Sequence, residues 1–163
     1  MEQTTPNKLL KIGSILFIVG GLIGGLVPII QTLSTMGTAD DITSMYGSPD
    51  MFDQMILQES DGMITGDQIL GIFFGMVIGI AVLYGIMMLI HVLVGILGLS
   101  RASRPDRARF FTAWGVVLLV FGVLNVLLSG VVSLNALVGI ISGVAAPILF
   151  LVGASQMKKA GNQ

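Results

Sequence analysis

The stretch ILGIFFGMVIGIAVLYGIMMLIHVLVGILGL, residues 69–99, decides the fold. It runs for 31 residues, and His91 is its only interruption. A helix of that length reaches about 46 Å at about 1.5 Å per residue, more than the roughly 30 Å of hydrocarbon in a bilayer. The stretch therefore reads as a transmembrane helix that tilts or continues past the membrane surface. Three further apolar runs lie at 12–30, 110–132 and 134–152. Each meets or nearly meets the roughly 20 residues a spanning helix needs. None alternates apolar with polar residues, which argues against membrane strands. The expected helices are about 12–31, 69–99, 110–132 and 134–156, forming one tetraspan domain over residues 1–163.

Composition agrees with that reading. Of 163 residues, 54% are hydrophobic and 10% charged, and mean hydropathy is +0.95. Soluble domains usually carry about 25% charge. The chain has no cysteine, which removes disulfides, thiolate metal sites and thiol chemistry.

The charges are segregated. Lys8 and Lys11 precede the first span. Arg101, Arg104, Arg107 and Arg109 separate the second from the third. Lys158 and Lys159 follow the fourth. Those are all eight basic residues. An even number of spans puts the three segments on one side, and the positive-inside rule makes that side cytoplasmic. The first apolar run is longer than a typical signal-peptide core and reads as a retained span. The expectation is a multi-pass plasma-membrane protein with both termini inside. Residues 32–68 and the short turn 129–134 then lie outside. Seven of the nine carboxylates fall within residues 39–68, and no Lys or Arg accompanies them there.

Glycine is patterned within the spans. Gly20, Gly21, Gly24 and Gly25 crowd the first; Gly71, Gly75 and Gly79 recur every fourth residue in the second; Gly139 and Gly143 do so in the fourth. That spacing lines small residues along one helix face, so neighbouring backbones can approach closely. The faces serve either packing within the bundle or a seam with another copy or partner. KIGSILFIVG (11–20) and AWGVVLLVFG (113–122) share glycines seven apart. Two related hairpins would produce such an echo, but glycine is frequent enough that the echo alone establishes nothing.

Polar groups inside the spans are few. His91 is a candidate proton or ion group by its depth. The competing reading is a neutral imidazole bonded to a neighbouring helix. Asn125 reads as interhelical glue that Ser142 is placed to meet. Pro147 is expected to kink the fourth span and free a carbonyl, and Pro28 to act similarly in the first.

In the acidic segment, SPDMFDQMILQES reads as a short helix with Ser48 as N-cap and Pro49 in its first turn. Met51, Phe52, Met55 and Ile56 form its apolar stripe, and Asp50 and Asp53 lie mostly elsewhere. This helix caps its own bundle or contacts a partner. DGMITGDQ, residues 61–68, matches the middle of a calcium loop, but Leu57 and Gln68 fall where the first and the bidentate carboxylate ligands belong. Five methionines in the segment (36, 45, 51, 55 and 63) suggest soft-metal binding only weakly. No metal or other cofactor is expected. Arg101, Arg104, Arg107 and Arg109 mark topology or hold anionic lipid headgroups.

No phosphate loop or zinc-binding HExxH pair occurs, and the one histidine lies inside a span, so catalysis is not expected. Beyond the arginine turn there is no basic face for nucleic acid.

The glycine-rich first span, the acidic segment, GILGLSR (95–101) and PILFLVGASQMKK (147–159) together resemble small bacterial four-helix membrane proteins of a domain-of-unknown-function family. The resemblance covers most of the chain and implies a bacterial plasma-membrane protein with no assigned activity. A large first outer segment and a tiny second one are also similar to the claudin layout. Claudins carry a Trp-Gly-Leu-Trp stretch with two cysteines there; this segment has neither Trp nor Cys, so no junction role carries over.

The expected architecture is an all-α membrane protein, a four-helix transmembrane bundle with an acidic extracytoplasmic loop. The expected function is a non-enzymatic accessory or interaction protein, binding a membrane or envelope partner or itself. The alternative is a small channel or transporter subunit passing cations or small solutes, which requires polar residues along one face.

Overall fold

The structure, a computed structural model, describes residues 7–129 and 134–160. The expected turn at 129–134 thus falls largely outside the described residues. The helices are α1 (Lys8–Ser34), α2 (Thr38–Met45), α3 (Pro49–Glu59), α4 (Gly66–Arg101), α5 (Ala108–Ser129), α6 (Leu134–Ile140) and α7 (Ala146–Ala160). A single π-helical turn, Ile141–Ala145, joins α6 to α7. Four helical stretches are long and apolar enough to cross a membrane: α1 with its continuation, α4, α5, and α6 through α7. No strand occurs among the described residues.

The helix ends lie further out than the apolar runs suggest, because polar residues cap them. Asn7 caps α1: its Oδ1 accepts from the backbone N–H groups of Leu9 and Leu10, at 3.0 and 3.4 Å. Past Ser34 the chain passes through one 3₁₀ turn, Thr35–Gly37, straight into α2. Hydroxyls of Ser34, Thr35 and Thr38 donate to carbonyls three residues earlier, at 2.6–2.7 Å. These bonds keep polar residues compatible with continuing helix.

The chain divides into two compact units, Met1–Leu26 with Ile86–Gln163, and Val27–Gly85.

The larger unit is built on aromatic and glycine contacts. Phe17 of α1, Phe150 of α7 and Phe111 of α5 are fully buried. Phe150 meets Phe17 edge-on at 4.7 Å and Phe111 at 5.0 Å. Glycines let the helices close around them. On α1, a Cβ at Gly13 would lie 3.0 Å from Phe150, and one at Gly20 would lie 2.5 Å from the Ser142 Cβ. On α5, a Cβ at Gly115 would meet Leu151 at 3.0 Å, and one at Gly122 would run into the backbone of Gly143. The echo between 11–20 and 113–122 thus has a spatial meaning. Two helices with glycines seven apart press on the same last span, at successive residues of it.

Pro147 explains the tightest of these contacts. It has no N–H for the Gly143 carbonyl four residues back, and its ring crowds that carbonyl. The π turn widens the ladder there, as such turns do. The Gly143 backbone lies directly against Gly122, a setting for Cα–H···O contact.

Asn7 also ties the unit together at one end. Its side-chain amide donates to Gly153 O and Gln156 Oε1, each at 3.2 Å, and its backbone N–H donates to Ala102 O at 3.2 Å. One residue thereby joins the start of α1 to the ends of α7 and α4.

Two expectations follow. Gly122→Ala should cost about 1–3 kcal/mol by overpacking, whereas Val116→Ala, on an exposed position, should shift stability by less than about 0.5 kcal/mol. Asn7→Ala should cost at least the roughly 1 kcal/mol of a lost N-cap. Reversible unfolding in mixed detergent micelles checks both.

Candidate functional site

The acidic segment is where sequence places the most unusual chemistry, so its carboxylates are considered first. Asp40 and Asp41 lie in the first turn of α2, Asp50 in that of α3 and Asp67 in that of α4. A carboxylate at a helix N-terminus faces the positive end of the macrodipole. Ser48 caps α3 as expected, accepting from the Met51 N–H at 3.2 Å, with Pro49 in the first turn. Asp53 reaches from α3 to the start of α4, where Oδ1 accepts from the buried Gly66 N–H at 2.7 Å. Much of the acid is therefore spent on beginning helices.

DGMITGDQ resolves into a helix–helix connection. Gly62 donates to Leu57 O at 2.7 Å, with Asp61 at φ 51° and Gly62 at φ 77°. That is a Schellman ending of α3. Thr65 and Gln68 then form a reciprocal capping box: Gln68 N–H to Thr65 Oγ1 at 3.2 Å, and Thr65 N–H to Gln68 Oε1 at 3.0 Å. Gln68, at the position of the bidentate calcium ligand, is thus occupied in starting α4. No group of three or more potential metal-ligating side chains occurs among the described residues.

The apolar stripe of α3 turns inward. Phe52 is 5% exposed, packs on Tyr46 at 5.3 Å and fills the space beside Gly66. Met55 and Ile56 are half-buried, and Asp53 is occupied by Gly66. Of the six residues expected to meet a partner, only Asp50 and Met51 stay exposed. Exposed apolar surface falls elsewhere in the segment, at Met45 (84%) and Met63 (78%).

Polar side chains in the spans satisfy themselves locally. His91 Nδ1 donates to Met87 O, one turn earlier on its own helix, at 2.8 Å. Its ring packs against Phe17 at 5.6 Å, and its Cβ occupies the space beside Gly21. The partner is thus its own helix, where sequence suggests a neighbouring one. Ser14 and Ser142 likewise donate to the carbonyls of Leu10 and Val138, at 2.7 and 2.8 Å. The Asn125 amide oxygen lies 3.5 Å from where Gly139 would carry a Cβ, while Ser142 packs on Gly20. His91, Ser14 and Ser142 thus each bond within their own helix.

The glycines divide into two groups. Gly21 and Gly25 admit His91 and Met88 of α4, and Gly24 faces Val138 at 3.4 Å. Gly95 and Gly98 on α4 admit Ile18 and Ser14 of α1. Gly71, Gly75 and Gly79 differ, since no described atom lies within 4 Å of a Cβ at any of them. Val77 and Ala81, buried in the same helix, project about 160° and about 120° away from the centre of the glycine row at about 100° per residue. The glycines face away from the packed side of α4.

The four arginines separate as well. Arg101 lies over the Phe110 ring at 4.4 Å, and Arg107 Nε pairs with Asp106 at 3.0 Å on the surface. Arg104 and Arg109 are exposed. Asn7, whose bonds assemble this end, and the Thr65–Gln68 box escape sequence reading. The box has a recognisable signal, Thr-x-x-Gln ahead of an apolar run; Asn7 had only its cap position.

Thr65→Ala and Gln68→Ala should each loosen the start of α4 by about 1 kcal/mol, read as about fivefold faster amide exchange at residues 66–69 in lipid discs. Asp53→Ala should do more, about 1–3 kcal/mol, because it strands the buried Gly66 N–H. Millimolar calcium should leave those exchange rates unchanged. No protein-family model, curated protein or solved structure matches the chain.

Proposed function

We propose that the chain is an integral membrane protein that acts by association, binding the transmembrane helix of a partner or of a second copy through the Gly71–Gly75–Gly79 face of α4. The observation that carries this is the contrast between glycines. Those of α1 and α5, and Gly95 and Gly98 of α4, each have a neighbour within contact of a Cβ, most of them too close to admit one. No described atom lies within 4 Å of a Cβ on the row at 71, 75 and 79. Glycine costs a helix about 1 kcal/mol relative to alanine without a compensating contact. Close helix approach is the compensation small residues offer in lipid.

In this reading the protein sits in the plasma membrane, of a bacterial cell as the resemblance implies. Its basic end is cytoplasmic and residues 32–68 are extracytoplasmic, by the positive-inside rule. The acidic helices α2 and α3 then rise above the outer leaflet beside the docking face. Exposed Met45 at the end of α2 and Met63 in the connection from α3 to α4 give a partner apolar contact. A channel is the weaker reading, because His91, Ser14 and Ser142 bond within their own helices. The same local bonding gives catalysis no assembled group to act with.

The absence of cysteine makes the test clean. Ile78 lies on the same stripe, three residues after Gly75 and exposed. Ile78→Cys should cross-link in native membranes, to a second copy under mild oxidation or to a distinct protein with a short bismaleimide. Gly75→Ile should reduce either product at least tenfold. A chain that stays uncross-linked, and whose assembly is unchanged by Gly75→Ile, would contradict the proposal.

A further inference from the structure

The larger unit gathers every basic residue of the chain at one end. Asn7 bonds the start of α1 to Gly153 and Gln156 of α7 and to Ala102 after α4. The turn Pro105–Arg107 packs on both α5 and α7. Three segments distant in sequence thus share one surface. Among the described residues of this unit Asp106 is the single carboxylate, and it is already paired with Arg107.

Helix energetics explain part of this arrangement, since Arg101, Lys158 and Lys159 lie in the last turns of α4 and α7, where positive charge suits the macrodipole, but they leave the other ends unexplained. Lys8 and Arg109 lie in the first turns of α1 and α5, where positive charge opposes the macrodipole. Neither first turn holds an acidic residue. The end therefore combines like charges that repel one another with helix termini that favour an anion. An external anion relieves both.

We infer that this end is a binding surface for anionic phospholipid headgroups, with Lys8, Arg104, Arg109 and Lys158 as its exposed contacts. Lipid is the partner because these side chains sit at the ends of helices of membrane-crossing length, at the level where headgroups lie. The apolar boundary is marked there too. Arg101 folds over Phe110, and Trp114 follows one turn later on the same helix, aromatic groups of the kind that settle at membrane interfaces. Arginine's forked donors suit phosphate oxygens. Topology marking alone needs the charge near the membrane but no headgroup held at particular side chains. This surface should prefer anionic ones.

Trp114 is the only tryptophan in the chain and sits about 9 Å along α5 from Ala108. Its fluorescence therefore reports lipid at this end. The full chain is reconstituted in phosphatidylcholine vesicles in which brominated phosphatidylglycerol, or brominated phosphatidylcholine, replaces a minor fraction. Trp114 quenching then gives the relative affinity for the two. The native chain should favour the anionic lipid by about fivefold for each basic residue engaged, and the preference should weaken with salt. R104Q/R109Q should lose most of it, while R104K/R109K keeps it, which separates charge from folding. Equal quenching by the two lipids in the native chain overturns the inference. So does a preference that R104Q/R109Q leaves intact, or one that inorganic phosphate abolishes when chloride at matched ionic strength does not.

Discussion

The contact between the backbones of Gly122 and Gly143 is the constraint around which the larger unit is arranged. In lipid there is no hydrophobic drive to press helices together, so their association depends on how closely surfaces fit. Pro147 withholds an N–H from the Gly143 carbonyl, and the π turn at Ile141–Ala145 absorbs the misfit. The bulged backbone then needs a neighbour with no side chain, and Gly122 supplies it. On the other side of the last span Gly20 does the same for Ser142. With α1 and α5 held so near, Phe17, Phe111 and Phe150 interlock edge to face. The polar groups follow from the same closeness. A bundle this tight leaves no room for water beside Ser14, and its hydroxyl turns back to its own helix.

The acidic segment obeys a different rule, because the chain there must start and stop helices in quick succession. Each start leaves backbone N–H groups without partners. Ser48, Asp53, Thr65 and Gln68 supply acceptors, and Asp40, Asp41, Asp50 and Asp67 supply favourable charge. The concentration of acid in residues 39–68 thus has a structural cause before any ligand is invoked. The lack of Lys and Arg in the same residues is what fits the extracytoplasmic placement proposed above, since basic residues are the ones retained on the inner side.

The spans were legible because length and apolarity alone identify them, and Ser48 and Pro49 announced α3. What composition hides is orientation around each helix axis. Gly71, Gly75 and Gly79 look in sequence like Gly20 and Gly24, yet only the latter have neighbours, and no hydrophobic periodicity separates inside from outside when lipid and core are equally apolar. The α3 stripe was legible as a stripe; that Phe52 packs inward on Tyr46 and Gly66 depends on where α4 begins, a tertiary fact. The calcium-like spacing in DGMITGDQ misleads for a local reason. Turn, cap and cation loop draw on the same Asp, Gly and Thr residues. The repeated glycines of 11–20 and 113–122 were visible, but their common target on the last span was not.

α1 and α5 close on the last span at adjacent levels, and a disulfide measures the α1 side of that closure directly. In G20C/S142C the two Cβ positions fall within disulfide reach once the helices ease apart by about 1 Å. The pair should oxidise completely in membranes under mild conditions, seen as loss of both thiols and two mass units without a dimer. G20C/I148C, which aims the second thiol at an exposed position, should not. Equal oxidation of both pairs, or of neither, would contradict the packing on which everything else depends.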